Sequence, residues 1–182
     1  ALDLLRVEQP ALWSPEHPYC YNLETRIIMT GPGGRTVVVD RQRTTVGIRE
    51  VVFQGKELFV NGSKTFLRGV NRHQEYPYVG YAVPRNAQWR DALKIKEAGF
   101  NLVRLSHYPQ SPDFMEACNR LGLFVLDAIP GWQYFSDDPA FQEQVIGTAR
   151  DMIRRDRNHP CVLAWEVSLN ESWMSEDFID RI

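Results

Sequence analysis

The spacing of hydrophobic and polar positions changes partway along the chain. From residue 1 to about 52 the apolar runs are short: Leu23, Arg26-Ile27-Ile28-Met29 and Thr36-Val37-Val38-Val39. Gly31-Pro32-Gly33-Gly34 separates the last two, so β-branched strands joined by tight turns are predicted, and no helical period interrupts them. Pro10 to Pro18 holds three prolines and predicts an extended surface run anchored by Trp13. About fifty residues of this kind suit part of a β-sandwich rather than a whole one.

Past Val52 the pattern is different. Leu58-Phe59-Val60 and Thr65-Phe66-Leu67 flank Asn61-Gly62-Ser63-Lys64, and Asn-Gly supplies the positive φ angles of a tight hairpin. Apolar runs then alternate with helical periods. Strands are predicted near 66–70, 102–106, 123–127 and 162–169. Helices are predicted over 84–98 with Gly99 as its stop, from Ser111-Pro112 to Gly122, and from Asp138-Pro139 to just before Pro160. Strand-helix alternation gives a parallel sheet, either the front of a (β/α)8 barrel or part of a doubly wound sheet.

Composition narrows the classes. A chain of 182 residues, 43% hydrophobic, is long enough to bury a core. Its net charge of -2 and the lack of a long basic run argue against nucleic acid or an anionic membrane as partner. No window approaches the ~20 apolar residues of a membrane span, and no signal peptide opens the sequence. Cys20, Cys118 and Cys161 are far apart in apolar contexts, which suits buried free thiols rather than a disulfide framework or a metal site.

The candidate chemistry lies just past the strands. The exits carry Asn71-Arg72-His73, Ser106-His107-Tyr108, Asp127 and Asn170-Glu171. Parallel αβ folds collect their sites at strand C-termini, so four polar exits in succession favour one shared site. A carboxyl beside an amide suits glycoside hydrolysis: the acid protonates a leaving oxygen while the amide grips a sugar hydroxyl.

Seven short motifs then fall in order: Leu12-Trp13-Ser14-Pro15-Glu16, Val46-Gly47-Ile48-Arg49, Phe59-Val60-Asn61-Gly62, Leu67-Arg68-Gly69-Val70-Asn71-Arg72-His73, Val103-Arg104-Leu105-Ser106-His107-Tyr108-Pro109, Arg155-Asp156-Arg157-Asn158-His159-Pro160 and Asn170-Glu171-Ser172. Together they resemble family 2 glycoside hydrolases, the group of β-galactosidases, β-glucuronidases and β-mannosidases. The resemblance implies an α/β chain in which residues 1–52 are the rear part of an immunoglobulin-like β-sandwich and 53–182 the first half of a (β/α)8 barrel. It implies Glu171 as general acid/base, Asn170 as the amide on the sugar 2-hydroxyl, and His73 and His107 as pocket histidines. The family's nucleophile, a second glutamate on a later barrel strand, has no counterpart in this sequence.

Departures from the family pattern accompany the match. Trp165 to Asn170 spans one residue more than the W-S-x-G-N-E form, which suggests a bulge. Asp127-Ala128 replaces a frequent Asp-Glu and no Thr-His-Gly follows, so neither the metal site of some β-galactosidases nor a cofactor is expected. Asp127 to Trp132 looks closer to the glucuronidase-like branch.

Each residue also has a plainer reading. Glu171 could be a strand-end carboxyl in a salt bridge, His107 a capping histidine, His73 part of a solvated loop, and Trp132 a loop anchor as readily as a sugar platform. Glu166 competes with Glu171, although a buried carboxyl more often pairs with an arginine, here Arg68 or Arg104. Arg104 and Asp127 read as supporting partners rather than direct contacts.

The expected partners are a β-glycoside, the rest of a longer chain, and further copies of this chain through an open sheet edge. The resemblance implies part of a retaining exo-β-glycosidase of the β-galactosidase type; the alternatives are a non-catalytic sugar-binding or assembly segment, or a member of the β-glucuronidase or β-mannosidase type. A nucleotide-binding sheet is disfavoured because no G-x-G-x-x-G follows any strand.

Overall fold

The computed structural model describes residues 5–131, 133–169 and 171–182. Strands β1 (Tyr21–Thr30) and β2 (Thr36–Val46) form a two-stranded antiparallel ribbon, with a register shift between Ile27 and Ile28. Gly33 and Gly34 take positive φ in the turn between them, as the glycine run predicts. Ile27, Ile28, Met29, Val37, Val38 and Val39 remain exposed, so the ribbon has no apolar cover among the described residues.

β3 (Val51–Gln54), β4 (Glu57–Val60) and β5 (Ser63–Thr65) form a three-stranded antiparallel sheet. Asn61 and Gly62 close the β4–β5 hairpin with φ of 52° and 77°, the conformation that Asn-Gly predicts.

Four parallel strands follow in sequence order: β6 (Gly69–Arg72), β7 (Leu102–Leu105), β8 (Phe124–Ala128) and β9 (Val162–Glu166). Between them run α1 (Arg85–Glu97), α2 (Pro112–Leu121) and α3 (Pro139–Asp156), and the short α4 (Glu176–Ile179) comes last. Ser111 caps α2 by accepting from the Asp113 N–H, and Asp138 caps α3 by accepting from the Ala140 N–H at 3.0 Å. The sheet is the expected α/β front of a barrel, and no helix among the described residues is long and apolar enough to cross a membrane.

Two strands differ from expectation. The first begins at Gly69, because Asn101 binds the backbone at Phe66 and Arg68 and delays pairing with β7. The fourth ends at Glu166 instead of 169, where the chain turns away and the Ser172 N–H closes on the Leu169 carbonyl at 3.0 Å.

Val103, Leu105, Phe124 and Val125 are buried in one core with Ala92, Phe114, Met115 and Cys118 of the helices. Trp13 joins that core. It is fully buried, meets Phe124 edge-on at 5.2 Å and donates from Nε1 to the Asn119 carbonyl at 2.8 Å. The proline-rich segment is therefore not an extended run: Ser14 turns back on His17, and Trp13 bridges to Pro18. Cys118 and Cys161 are buried free thiols, and burial raises both above the ordinary thiol range; Cys20 is free and half-buried.

Candidate active site

Alternation along the parallel strands sorts their side chains into two populations. Asn71, Arg104, Leu126 and Ala164 are register partners in one row across β6, β7, β8 and β9. Their neighbours Val103 and Val125 are buried under the helices, so this row lies on the opposite, open face of the sheet. Two adjoining hollows of about 380 Å³ each line that face and share Leu126. One contains Asn71 and Arg104; the other contains Trp165, Glu166 and Ser168.

Arg104 reaches over Leu126 to Glu166. Its Nε donates to both carboxylate oxygens at 2.9 and 3.1 Å, and Nη2 donates to Oε1. Hydrogen bonding to Glu166 is the main cause that raises the Arg104 pKa, followed by the charges of Glu166 and Glu171. The guanidinium thus feels both carboxylates while gripping one. Glu166 is the arginine-paired carboxyl that the sequence allows, and the partner is Arg104. Arg68 lies instead over the Phe66 ring, 5.3 Å from its centroid. Glu171 is half-buried, and its Oε2 is shielded from solvent with no hydrogen-bond partner among the described residues. A shielded carboxyl oxygen without an internal partner is a group waiting for a ligand or a water.

The histidines come together. His73 follows β6 and His107 follows β7, after a cis Ser106–His107 peptide, and their rings are 5.7 Å apart at 87°. Gln74 holds the His73 loop: its N–H donates to the Tyr108 hydroxyl at 3.0 Å, and its Oε1 accepts from the Ser111 N–H at 2.7 Å. His73 is exposed, on the wall of a cleft of about 720 Å³ with Glu75, Tyr76 and Tyr78. Another cavity, about 530 Å³ and lined by Asn61, Lys64, Arg68 and Asn101, lies at the other ends of the strands, away from these residues.

Three polar residues read as strand exits lie inside strands instead: Asn71 on the open face, and Arg72 and Asp127 on the helix side. Arg72 is buried on the helix side, donating to Asp91 at 2.7 Å and Gln88 at 2.8 Å, with its guanidinium 4.0 Å from the Phe114 centroid. It clasps β6 to α1 and α2. Asp127 is also fully buried on the helix side, against Asp156 of α3. Neither Asp127 oxygen meets a donor among the described residues, and Asp156 is gripped by Arg155 at 2.6 Å with His159 at 3.8 Å. Burial first, then the neighbouring Asp156 carboxylate, push the Asp127 pKa to about 8. Asp127 thus favours its protonated form beside the arginine-paired Asp156. Asp127 therefore supports the β8–α3 packing and does not face the open side. Asn170 and Trp132 lie outside the described residues.

The sequence reading missed Gln74, Tyr108 and Gln110 as the scaffold of the histidine loop. Gln74 and Tyr108 are bonded to each other directly, and Gln110 is held by Arg72, whose guanidinium donates to Gln110 Oε1 and whose backbone carbonyl accepts from Gln110 Nε2 at 2.6 Å.

The comparisons with known proteins agree with this architecture. Residues 51–181 match the family model described as glycosyl hydrolases family 2, TIM barrel domain, and residues 2–49 match glycosyl hydrolases family 2. The chain is 40% identical over 176 residues to a β-galactosidase of Thermoanaerobacter pseudethanolicus, covering 96% of this chain and 23% of that protein. It is 41% identical over 168 residues to a β-galactosidase of Thermoanaerobacterium thermosulfurigenes, covering 92% and 22%. An FMN-binding β-glucuronidase from Facaelibacterium prausnitzii L2-6 superposes with a TM-score of 0.86 at 32% identity, covering 96% of this chain and 27% of that one. The chain spans less than a quarter of the length of these β-galactosidases. With a strand ladder, an exit carboxyl and a barrel model that agree, the chain belongs to glycosyl hydrolase family 2.

Proposed function

We propose that this chain is a segment of a retaining exo-β-glycosidase of the β-galactosidase type, with Glu171 as its general acid/base. The observation that carries this reading is the division of labour between two carboxyls: Glu166 is committed to Arg104, while the shielded Oε2 of Glu171 has no protein partner among the described residues. Asn170 is assigned to the sugar 2-hydroxyl, and His73 and His107 to the wall of the sugar pocket. Residues 1–52 are read as sandwich and 53–182 as the first half of the barrel.

A retaining mechanism needs two carboxyls about 5–5.5 Å apart, one to attack and one to protonate. Glu166 is neutralised by its arginine, so the attacking group comes from the remainder of the longer protein. On this reading the 182-residue chain alone does not turn over aryl β-glycosides.

Glu171→Ala in the full-length enzyme tests the assignment. Substrates with poor leaving groups should slow by on the order of 10²–10⁴-fold. Activated aryl glycosides need no proton to depart, so the glycosyl-enzyme still forms and then waits for a base. Azide needs no deprotonation and should restore turnover, giving a β-glycosyl azide. No azide effect with Glu171→Ala, together with that effect in Glu166→Ala, would transfer the role to Glu166.

A further inference from the structure

His73 and His107 sit on different loops, and the bonds that hold those loops run from one to the other. Gln110, only 2% exposed, reaches back to the residue before His73: its Oε1 accepts from Arg72 Nη1 at 2.5 Å, and its Nε2 donates to the Arg72 carbonyl at 2.6 Å. Gln74, the residue after His73, reaches the other way. Its Oε1 accepts from the Ser111 N–H at 2.7 Å and its own N–H donates to the Tyr108 hydroxyl at 3.0 Å, while its Nε2 stays within its loop on the Tyr81 carbonyl at 3.1 Å. Arg155 of α3 fixes the shared anchor, donating from Nη2 to the Gln110 carbonyl at 3.0 Å. Both flanks of His73 are therefore bonded to the stretch 108–111 that directly follows His107, and the two rings meet edge-on at 5.7 Å.

Such a cross-tie does more than satisfy backbone groups. A histidine on a loop turns with its backbone, and a ring that binds a sugar hydroxyl more tightly in the transition state than in the ground state must be held to within about 0.5 Å. Bonding one exit to the other makes the two rings a single element, because neither loop can shift without breaking its amide bonds to its neighbour. Two glutamines with opposite directions of reach do this at both ends of the His73 residue. We infer that Gln74 and Gln110 are positioning residues that hold His73 and His107 in register for the hydroxyls of the glycone, so that their contribution to turnover passes through the histidines. This inference rests on the reading of His73 and His107 as the wall of the sugar pocket.

A kinetic double-mutant cycle in the full-length enzyme, on one aryl β-glycoside, tests this. Gln74→Leu removes the acceptor for the Ser111 N–H and should lower kcat/KM by about ten- to a hundredfold, with the loss in kcat more than in KM. Gln74→Glu keeps an oxygen toward that N–H and should stay within about threefold of the wild type. In a His73→Ala background the ring to be aimed is gone, so Gln74→Leu should cost less than about threefold further. Gln110→Glu keeps the bond from Arg72 Nη1 but loses the one to the Arg72 carbonyl, and its loss should depend on His73 in the same way. A Gln74→Leu loss that persists in full on His73→Ala, or equal losses in Gln74→Glu and Gln74→Leu, would overturn the cross-tie while leaving the histidines in the pocket. If His73→Ala and His107→Ala themselves leave kcat/KM unchanged, the pocket reading falls first and takes the cross-tie with it.

Discussion

Arg104 and Glu166 hold each other across strand β8, with the guanidinium Nε 2.9 and 3.1 Å from the two carboxylate oxygens and Leu126 beneath. Both side chains are about one-fifth exposed, so removing one leaves a poorly solvated charge. Glu166→Ala and Arg104→Ala should each lower stability by about 1–3 kcal/mol, and the double variant by less than the sum. A double-mutant cycle by thermal unfolding checks this. Additive losses would mean that the pair is not coupled.

The Asp127–Asp156 pair should make stability depend on pH. Asp127 has an ordinary value of 3.8 and a folded value of about 8. An acid whose folded pKa is raised binds a proton on folding, so the pair costs increasing stability as pH climbs from 3.8 toward about 8. Asp127→Asn keeps the shape, removes the titration and lets the amide donate to Asp156. Its melting temperature should pull ahead of the wild type between pH 5 and pH 8, a gain on the order of a few kcal/mol at the upper end. A constant difference across that range would sink the account of a protonated Asp127.

Gly122 should tolerate substitution far less well than Gly99. Both have positive φ, 73° and 87°, where an L side chain costs roughly 1–2 kcal/mol. A Cβ on Gly99 meets nothing within 4 Å, whereas one on Gly122 would lie 2.2 Å from the Pro15 carbonyl oxygen. Gly99→Ala should therefore lose only the conformational cost. Gly122→Ala should lose that and the docking of the proline segment, visible as the lower melting point and weaker protection of the Trp13 indole N–H from hydrogen exchange.

The free chain should self-associate. β6 and β9 are the outer strands of the parallel sheet, with no further strand beside them among the described residues, and the ribbon exposes Ile27, Ile28, Met29 and Val37 to Val39. Light scattering over a wide concentration range should show mass rising with concentration. A constant monomer mass would count against this.

Much of this arrangement was legible in residue order, because caps, glycines and apolar runs act locally. Ser111-Pro112, Asp138-Pro139 and Asn61-Gly62 each specify backbone geometry within a few residues, and each structure formed as expected. What was not legible depended on phase and on distant partners. Starting β6 at Gly69 places Arg72 on the helix side, and nothing local to Arg72 indicates that Gln88, Asp91 and Gln110 will gather around it. Asp127 likewise reads as a strand exit until Asp156, twenty-nine residues later in the sequence, is found against it. Trp13 looked like a surface anchor because prolines surround it, but its long-range contacts bury it completely.

That burial bears on how the family's modules could be exchanged. Trp13 supplies a core ring to the α/β part, Arg49 lies 5.7 Å over Phe124 and donates to the Val162 carbonyl, and Lys96 of α1 reaches back to the Pro15 carbonyl at 2.7 Å. A chimaera joined near residue 52 would import a foreign tryptophan segment into a barrel floor shaped for this one. A seam upstream of Pro10 keeps residues 10–52 with the α/β part they pack against, so recombination among relatives should succeed when these residues travel together with that part and fail when they are exchanged separately.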